Sequence, residues 1–264
     1  MAYTELIYTV EDMVATITLN RPERMNALTG TTYREAAEAI GEADADNDVR
    51  SVVITGAGRG FCSGDDVKEL PGAPSPEQLA QRKIPSKAGP TPLAEALLSF
   101  DKPLIAAVNG AAIGWGMDLA LMCDIRIASE NAKFGEVYVR RGLVADIAGW
   151  LLLPRIVGLS KAYEILLTGD IIDAQEAERI GLVTKTVPHD DLMPVVNAMA
   201  AKMAGMPPVA VRMTKEAVRK GLDYNLPALG EYHSYALKVL FGTEDFREGS
   251  TAVLEKRTPT FKGR

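Results

Sequence analysis

The chain has 264 residues, with 29 Lys and Arg against 35 Asp and Glu, a net charge of −6. Its two cysteines, Cys62 and Cys123, and two histidines, His189 and His233, show no metal-ligand spacing and no GxSxG elbow, which argues against a Cys/His metal site, a disulfide scaffold and a serine triad. The acidic balance argues against bulk nucleic-acid binding, and the lack of a signal-peptide pattern or of an apolar run near the roughly 18 residues of a membrane span leads us to expect a cytoplasmic chain without membrane or nucleic-acid partners.

Leu6-Ile7-Tyr8 reads as a short strand. Val14–Leu19 alternates apolar and β-branched polar residues and reads as a second. A Pro-containing loop over 20–26 leads to a helix over Thr32–Ala43. Val49–Thr55 contains a strand in which Val52-Val53-Ile54 is expected to be buried on both faces, and a glycine loop over 56–66 follows it. Residues 71–92 hold six of the 15 prolines and read as a mobile loop with at most a short helix. Next come a helix over 93–100, the strand Leu104–Val108, a second glycine loop over 109–116, a helix over 117–123 and a strand over 124–128. Strands and short helices alternate to about residue 190, and Asp173-Ala174-Gln175-Glu176 has the capping-box spacing of a helix start. From 191 onward the pattern is helical only, over 192–204, 208–221, 225–241 and 243–256. The expectation is an α/β core over 1–190 and a helical region over 191–264. The strand–strand–helix rhythm recurs without a period clear enough to count as a repeat.

Seven of the 23 glycines lie in the loops 56–64 and 110–116, each between a buried strand and a helix. Glycine lets successive N–H groups point into one cavity, and a helix N-terminus adds a positive dipole end. Two such loops side by side offer two N–H donors to one oxygen, an oxyanion hole; tight strand–helix turns or a phosphate cradle are the alternatives. A Walker loop is absent, and Gly56-x-Gly58-x-x-Phe61 lacks the third glycine of a dinucleotide fingerprint.

Several segments in order carry a resemblance. They are Leu19-Asn20-Arg21-Pro22 with Asn26-Ala27-Leu28, Gly60-Phe61-Cys62-Ser63-Gly64-Asp65-Asp66, Ile105–Gly110 with Gly114-Trp115-Gly116-Met117-Asp118-Leu119, Cys123–Ala128, Ala132-Lys133-Phe134-Gly135, Leu153–Gly158 and Leu167-Thr168-Gly169 with Ala177 and Gly181-Leu182-Val183. Over about residues 3–262 the chain resembles the crotonase superfamily, the enoyl-CoA hydratase/isomerase family. The resemblance implies a crotonase-like spiral of ββα units with a helical C-terminal region for trimerisation and active-site cover, a homotrimer or dimer of trimers, and an acyl-CoA thioester as substrate, with no separate cofactor or metal. It assigns the oxyanion donors to the backbone N–H groups of Asp65 and Trp115. It assigns the CoA arm to Arg24, Met25, Ser63, Asp66 and Val67, with Lys68, Phe261 and Lys262 as further contacts, the tail reaching a neighbouring subunit. Trp115 departs from the family's usual glycine. If that position needs φ > 0 a Trp there is strained, and its indole would shape the acyl pocket.

The typical hydratase of this family uses two glutamates. Here the first position is Asp118 and the second is Tyr138, a poor base at neutral pH with an ordinary pKa near 10. Glu136, two residues before Tyr138, would share its face on a strand but be displaced by roughly 7 Å. Asp146, eight residues after Tyr138, occupies a position that is Asp in dienoyl-CoA isomerases, in phenylacetate-pathway isomerases and, as a nucleophile, in 4-chlorobenzoyl-CoA dehalogenases. The active-site pattern looks closest to dienoyl-CoA isomerase, minus its glutamate at Tyr138. Each residue has a plainer alternative: Asp146 as a helix N-cap, Asp118 as a first-turn carboxylate favoured by the dipole, Tyr138 as a strand aromatic. The leading expectation is isomerisation of an enoyl- or dienoyl-CoA by Asp146 with Asp118 or Tyr138. The alternatives are a hydratase or CoA-ester hydrolase using Asp118, Asp146 and water, and a non-catalytic acyl-CoA binder.

Overall fold

The computed structural model describes residues 3–69 and 90–264. The expected mobile loop over 71–92 thus lies largely outside the described residues. At its end, Thr91 caps helix α2 (Pro92–Ser99), accepting from the N–H of Ala94.

Strands β1 (Leu6–Glu11) and β2 (Val14–Leu19) form an antiparallel hairpin, with Leu6 opposite Leu19. β1 is longer than expected because the two-residue turn, Asp12 and Met13, has positive φ at both positions, the geometry that suits a tight hairpin. Alternation in β2 places Ala15, Ile17 and Leu19 inside. Helix α1 (Gly30–Ala45) starts two residues before the expected Thr32, because Thr29 is the cap and accepts from the N–H groups of Thr31 and Thr32. Its buried face is Ala36, Ala39, Ile40 and Ala43.

Over residues 51–135 the chain deals strands alternately to two sheets. β3 (Ser51–Gly56), β5 (Leu104–Val108), β7 (Ile125–Ser129) and β10 (Lys185–Val187) join β1 and β2 in a six-stranded sheet of order β1-β2-β3-β5-β7-β10, parallel from β2 onward. β4 (Gly60–Cys62), β6 (Ala111–Ile113), β8 (Lys133–Gly135) and β9 (Ile172–Asp173) form a second sheet in that order. Each glycine loop therefore contains a three-residue strand of its own. Runs that short, rich in Gly and Ala, carry no alternation to read.

Helix α3 (Trp115–Met122) follows β6. Helices α4 (Ile147–Leu151), α5 (Leu153–Val157) and α6 (Leu159–Thr168) precede β9, and α7 (Ala174–Arg179) follows it. Asp173 accepts from the N–H of Glu176 at 2.8 Å, as the capping spacing led us to expect. The last four helices are α8 (Leu192–Ala204), α9 (Pro208–Gly221), α10 (Leu226–Leu240) and α11 (Glu244–Glu255). The first of them completes the core. Leu192, Val196 and Ala200 of α8 pack on Val53, Ile105, Ala107 and Ile127 of the large sheet. The opposite face buries against α1, α2 and α3. No helix among the described residues is long and apolar enough to cross a membrane.

One buried cation fixes the helix that carries the site. Arg126 donates to the carbonyls of Cys123 (2.6 Å), Ala120 (3.3 Å), Leu121 (3.4 Å) and Leu182 (2.7 Å). It thereby satisfies the open carbonyl end of α3, where a positive charge also meets the negative dipole end. Arg126→Met is expected to leave these carbonyls buried and unpaired and to cost about 2–3 kcal/mol. The check is the denaturant midpoint at unchanged m; a shift worth under about 0.5 kcal/mol would show that the carbonyls find other donors.

Candidate active site

The two glycine loops meet. The side chain of Asn26 donates to the carbonyls of Ala57 (3.0 Å) and Gly60 (2.8 Å), and that of Asn109 to Gly58 (2.9 Å) and Gly60 (3.2 Å). Two motif asparagines thus hold the first loop, sharing the Gly60 carbonyl. The second loop packs directly on it: a Cβ on Gly116 would lie 2.0 Å from the Cys62 carbonyl oxygen, and one on Gly64 would lie 2.7 Å from that of Ile113 and 3.4 Å from the Trp115 nitrogen. Asp65 and Trp115 flank this contact, and among the described residues neither N–H has an acceptor. Two free donors from adjacent loops, one at the first turn of α3, are what an oxyanion hole requires.

The expected strain at Trp115 is absent. The positive φ falls on Gly114 (φ 55°), and Trp115 opens α3. Its indole turns inward, 3% exposed, and its ring meets Tyr33 edge-to-face at 4.8 Å. Its Nε1–H donates to Asp146 Oδ2 at 2.8 Å. The hydroxyl of Tyr33 in turn donates to Asp65 Oδ1 at 2.6 Å.

The acids lie between α3 and α4. Asp118 is fully buried; its Oδ1 accepts from the N–H of Gly149 at 2.8 Å and its Oδ2 from the Tyr138 hydroxyl at 2.7 Å. Asp146 caps α4, its Oδ1 accepting from the N–H of Ile147 at 2.7 Å, while Oδ2 takes the indole. Asp146 is thus the N-cap of α4 and at the same time the partner of the Trp115 indole. The first turns of α3 and α4 are cross-linked twice, Trp115 to Asp146 and Gly149 to Asp118.

Burial pushes the Asp118 carboxyl up to about 7; the nearby Asp146 charge adds to this, and the bonds from Tyr138 and Gly149 offset part of it. Burial and then Asp118 raise the Tyr138 hydroxyl above its ordinary range, so it donates as a phenol. Residues 137–141 form a 3-10 turn, not a strand, so Glu136 and Tyr138 do not share a strand face. Glu136 is instead 1% exposed, with neither carboxylate oxygen hydrogen-bonded among the described residues. Burial, then Asp118 and Asp146, raises its pKa well above the usual carboxylate range. A Cβ on Gly149 would lie 3.5 Å from Glu136 Oε1, so the same residue touches both acids. Tyr33, Gly149 and Glu136 received no role from the sequence. Only Glu136, beside a motif, gave any signal.

A model of the family described as enoyl-CoA hydratase/isomerase matches residues 9–264. The chain belongs to this family. It is 38% identical over 262 residues to the crotonyl-CoA hydratase of Syntrophomonas wolfei, covering 99% of each chain. It is 37% identical over 258 residues to the short-chain-enoyl-CoA hydratase of Clostridium acetobutylicum, covering 97% of each. Among solved structures, the enoyl-CoA hydratase from Bacillus anthracis superposes with a TM-score of 0.90 at 33% identity, over 99% of this chain and 100% of that one.

The residues that the family resemblance assigns to a CoA arm fall into three groups. Arg24, Met25 and Ser63 come together: the Ser63 N–H donates to the Met25 carbonyl at 3.0 Å, and Arg59 adds a second guanidinium beside Met25. Val67 and Lys68 are exposed, and the Lys68 N–H donates to Asp66 Oδ1 at 3.1 Å. Asp66 is different, because its carboxylate is turned inward to Arg21 at 3.2 Å, which also pairs with Glu5. The Lys68 N–H and then Arg21 hold the Asp66 carboxyl below the usual range. Phe261 and Lys262 fold back within the chain. The Phe261 carbonyl accepts from Arg50, and the Lys262 N–H donates to Asp245. Arg50 precedes β3, whereas the glycine loop follows it, a separation of roughly 20 Å along the strand. Within one chain the tail is not brought to the Arg24–Ser63 cluster.

Proposed function

We propose that the chain binds an acyl-CoA thioester and shifts a carbon–carbon double bond in an enoyl- or dienoyl-CoA. The observation that carries this reading is that Asp118 and Asp146 are held in one site by the two cross-links between the first turns of α3 and α4, Trp115 to Asp146 and Gly149 to Asp118, with a phenol, Tyr138, where a hydratase of this family carries its second carboxylate. Asp146, oriented by the indole, takes a proton from the carbon next to the thioester. The electron pair moves toward the thioester oxygen, where the Asp65 and Trp115 N–H groups meet the developing charge. Asp118, poised at about 7, returns a proton two carbons further along, with Tyr138 fixing its orientation. A proton passing from Asp146 back to Asp118 resets the site. Atoms and charge balance, and nothing is added to the substrate.

The second reading is hydration. It is favoured by the hydratase names of the relatives described above. Asp118 and Asp146 would then flank a water added across the double bond. A mass-spectrometric screen of 2-enoyl-, 3-enoyl- and dienoyl-CoA esters separates the two, since isomerisation is mass-neutral and hydration adds one water. Asp146→Asn is expected to lower isomerisation by roughly 10²–10⁴-fold while CoA-ester affinity survives. Undiminished turnover in that variant, or robust conversion of crotonyl-CoA to its 3-hydroxy product by the unaltered enzyme, would overturn the isomerase reading. The same proposal takes α9–α11, which expose Leu222, Leu226, Phe241, Val253 and Leu254, as the surface for assembly into a trimer or dimer of trimers.

A further inference from the structure

Three residues from three successive units of the spiral are joined through one side chain. Tyr33 stands on α1 of the first unit, Asp65 follows β4 of the second, and Trp115 opens α3 of the third. The Tyr33 hydroxyl donates to the Asp65 side chain at 2.6 Å, and its ring meets the Trp115 ring at 4.8 Å and 81°. Trp115 then carries the link to Asp146 at 2.8 Å. The Asp65 and Trp115 side chains are not themselves oxyanion donors; their main-chain N–H groups are. Fixing the side chains fixes the peptide planes behind them.

We propose that Tyr33 is a positioning residue that holds the two oxyanion N–H donors at their working separation and, through the Trp115 indole, keeps Asp146 in register with them. The proposal rests on the enolate reading of the site. Its physical content is preorganisation: donors held in place before charge develops cost no reorganisation when it does. A hydroxyl donating to a partly exposed carboxylate and an edge-to-face aromatic contact are both directional, so each limits rotation of its partner.

The test uses Tyr33→Phe, Asp65→Ala and Asp65→Asn in the full chain. Tyr33→Phe keeps the ring and removes only the link to Asp65. Asp65→Ala removes the same link from the other side and leaves the backbone N–H in place. Both are expected to lower kcat about tenfold, the scale of one hydrogen bond, with KM for the CoA ester within about threefold of the unaltered enzyme. The Tyr33→Phe/Asp65→Ala double variant is expected to be no worse than either single variant, because one link is lost only once. Asp65→Asn keeps an acceptor oxygen and is expected to restore kcat to within about twofold. A parallel readout needs no turnover: the absorption of a cinnamoyl-CoA thioester shifts to the red when its carbonyl is polarised on binding, and the shift should shrink in Tyr33→Phe and Asp65→Ala. A red shift that is equal in all variants, or losses in kcat that multiply in the double variant, would overturn the role of Tyr33. No red shift in the unaltered enzyme would overturn the oxyanion reading itself, and this inference with it.

Discussion

Asp118→Asn is expected to lower turnover by roughly 10²–10⁴-fold and, at the same time, to make the protein more stable at alkaline pH. Both effects come from one burial. The Asp118 carboxyl titrates at about 7 in the folded chain, against about 3.9 when exposed. The folded state therefore holds the proton more tightly than the unfolded state. Stability falls as pH rises from about 4 to about 7 and is level above that, with a total on the order of 4 kcal/mol. Asparagine escapes this penalty and keeps the local geometry, since its oxygen can accept from Gly149 and its amide can donate to the Tyr138 oxygen. The variant should thus gain roughly 2–4 kcal/mol at pH 8 and nothing at pH 4. Urea midpoints at the two pH values check this. An equal midpoint at pH 8 would show that Asp118 does not carry a raised pKa. In the unaltered enzyme, turnover that needs the protonated acid should decline as pH rises through about 7, and a flat profile there would remove Asp118 from the proton path.

Gly64→Ala is the second large effect. Gly64 has φ +85°, and a Cβ there would meet the Ile113 carbonyl oxygen at 2.7 Å. Both the backbone conformation and the packing resist the added methyl, so the first loop must move away from the second. That motion separates the Asp65 and Trp115 N–H groups. Loss of one oxyanion donor costs about 10²–10³ in kcat in comparable sites, and the strain costs about 1–3 kcal/mol of stability. Steady-state kinetics beside thermal unfolding separates the two. A variant that loses stability but keeps near-normal kcat would show that the hole does not depend on the contact between the loops.

Much of this arrangement was legible in the sequence, for identifiable reasons. The glycine loops holding Gly64 and Gly116 were read as places where N–H groups can converge, and the structure adds that both are close backbone approaches; Asn26 and Asn109 stood in the motif segments without their role as donors to loop carbonyls. The glycine constraint acts at the residue itself, whereas the asparagines reach carbonyls 31 to 51 residues away, which no local motif announces. Arg126 was visible as part of the Cys123–Ala128 segment, though its task of capping α3 was not. The pairing of Trp115 with Asp146 was hidden because it joins residues 31 apart in the chain, and nothing about either alone names the other. Glu136 was placed on an imagined strand because Phe134-Gly135 begins as one; the chain then turns into a 3-10 coil that no spacing announces. The tail residues 261 and 262 were assigned from resemblance alone, and within one chain the fold carries them to the opposite end of β3.

The way strands are dealt alternately to two sheets has a consequence for assembly during synthesis. The donor at Asp65 belongs to one turn of the spiral, the donor at Trp115 to the next, and Asp146 arrives later still. A nascent chain, or a proteolytic fragment, that ends before Asp146 can contain both glycine loops and still present no complete site, because Asp146 and Gly149 are missing. Recovery of thioester binding on refolding would therefore time the stacking of turn on turn, an event driven by contacts between residues far apart in the chain and correspondingly slow.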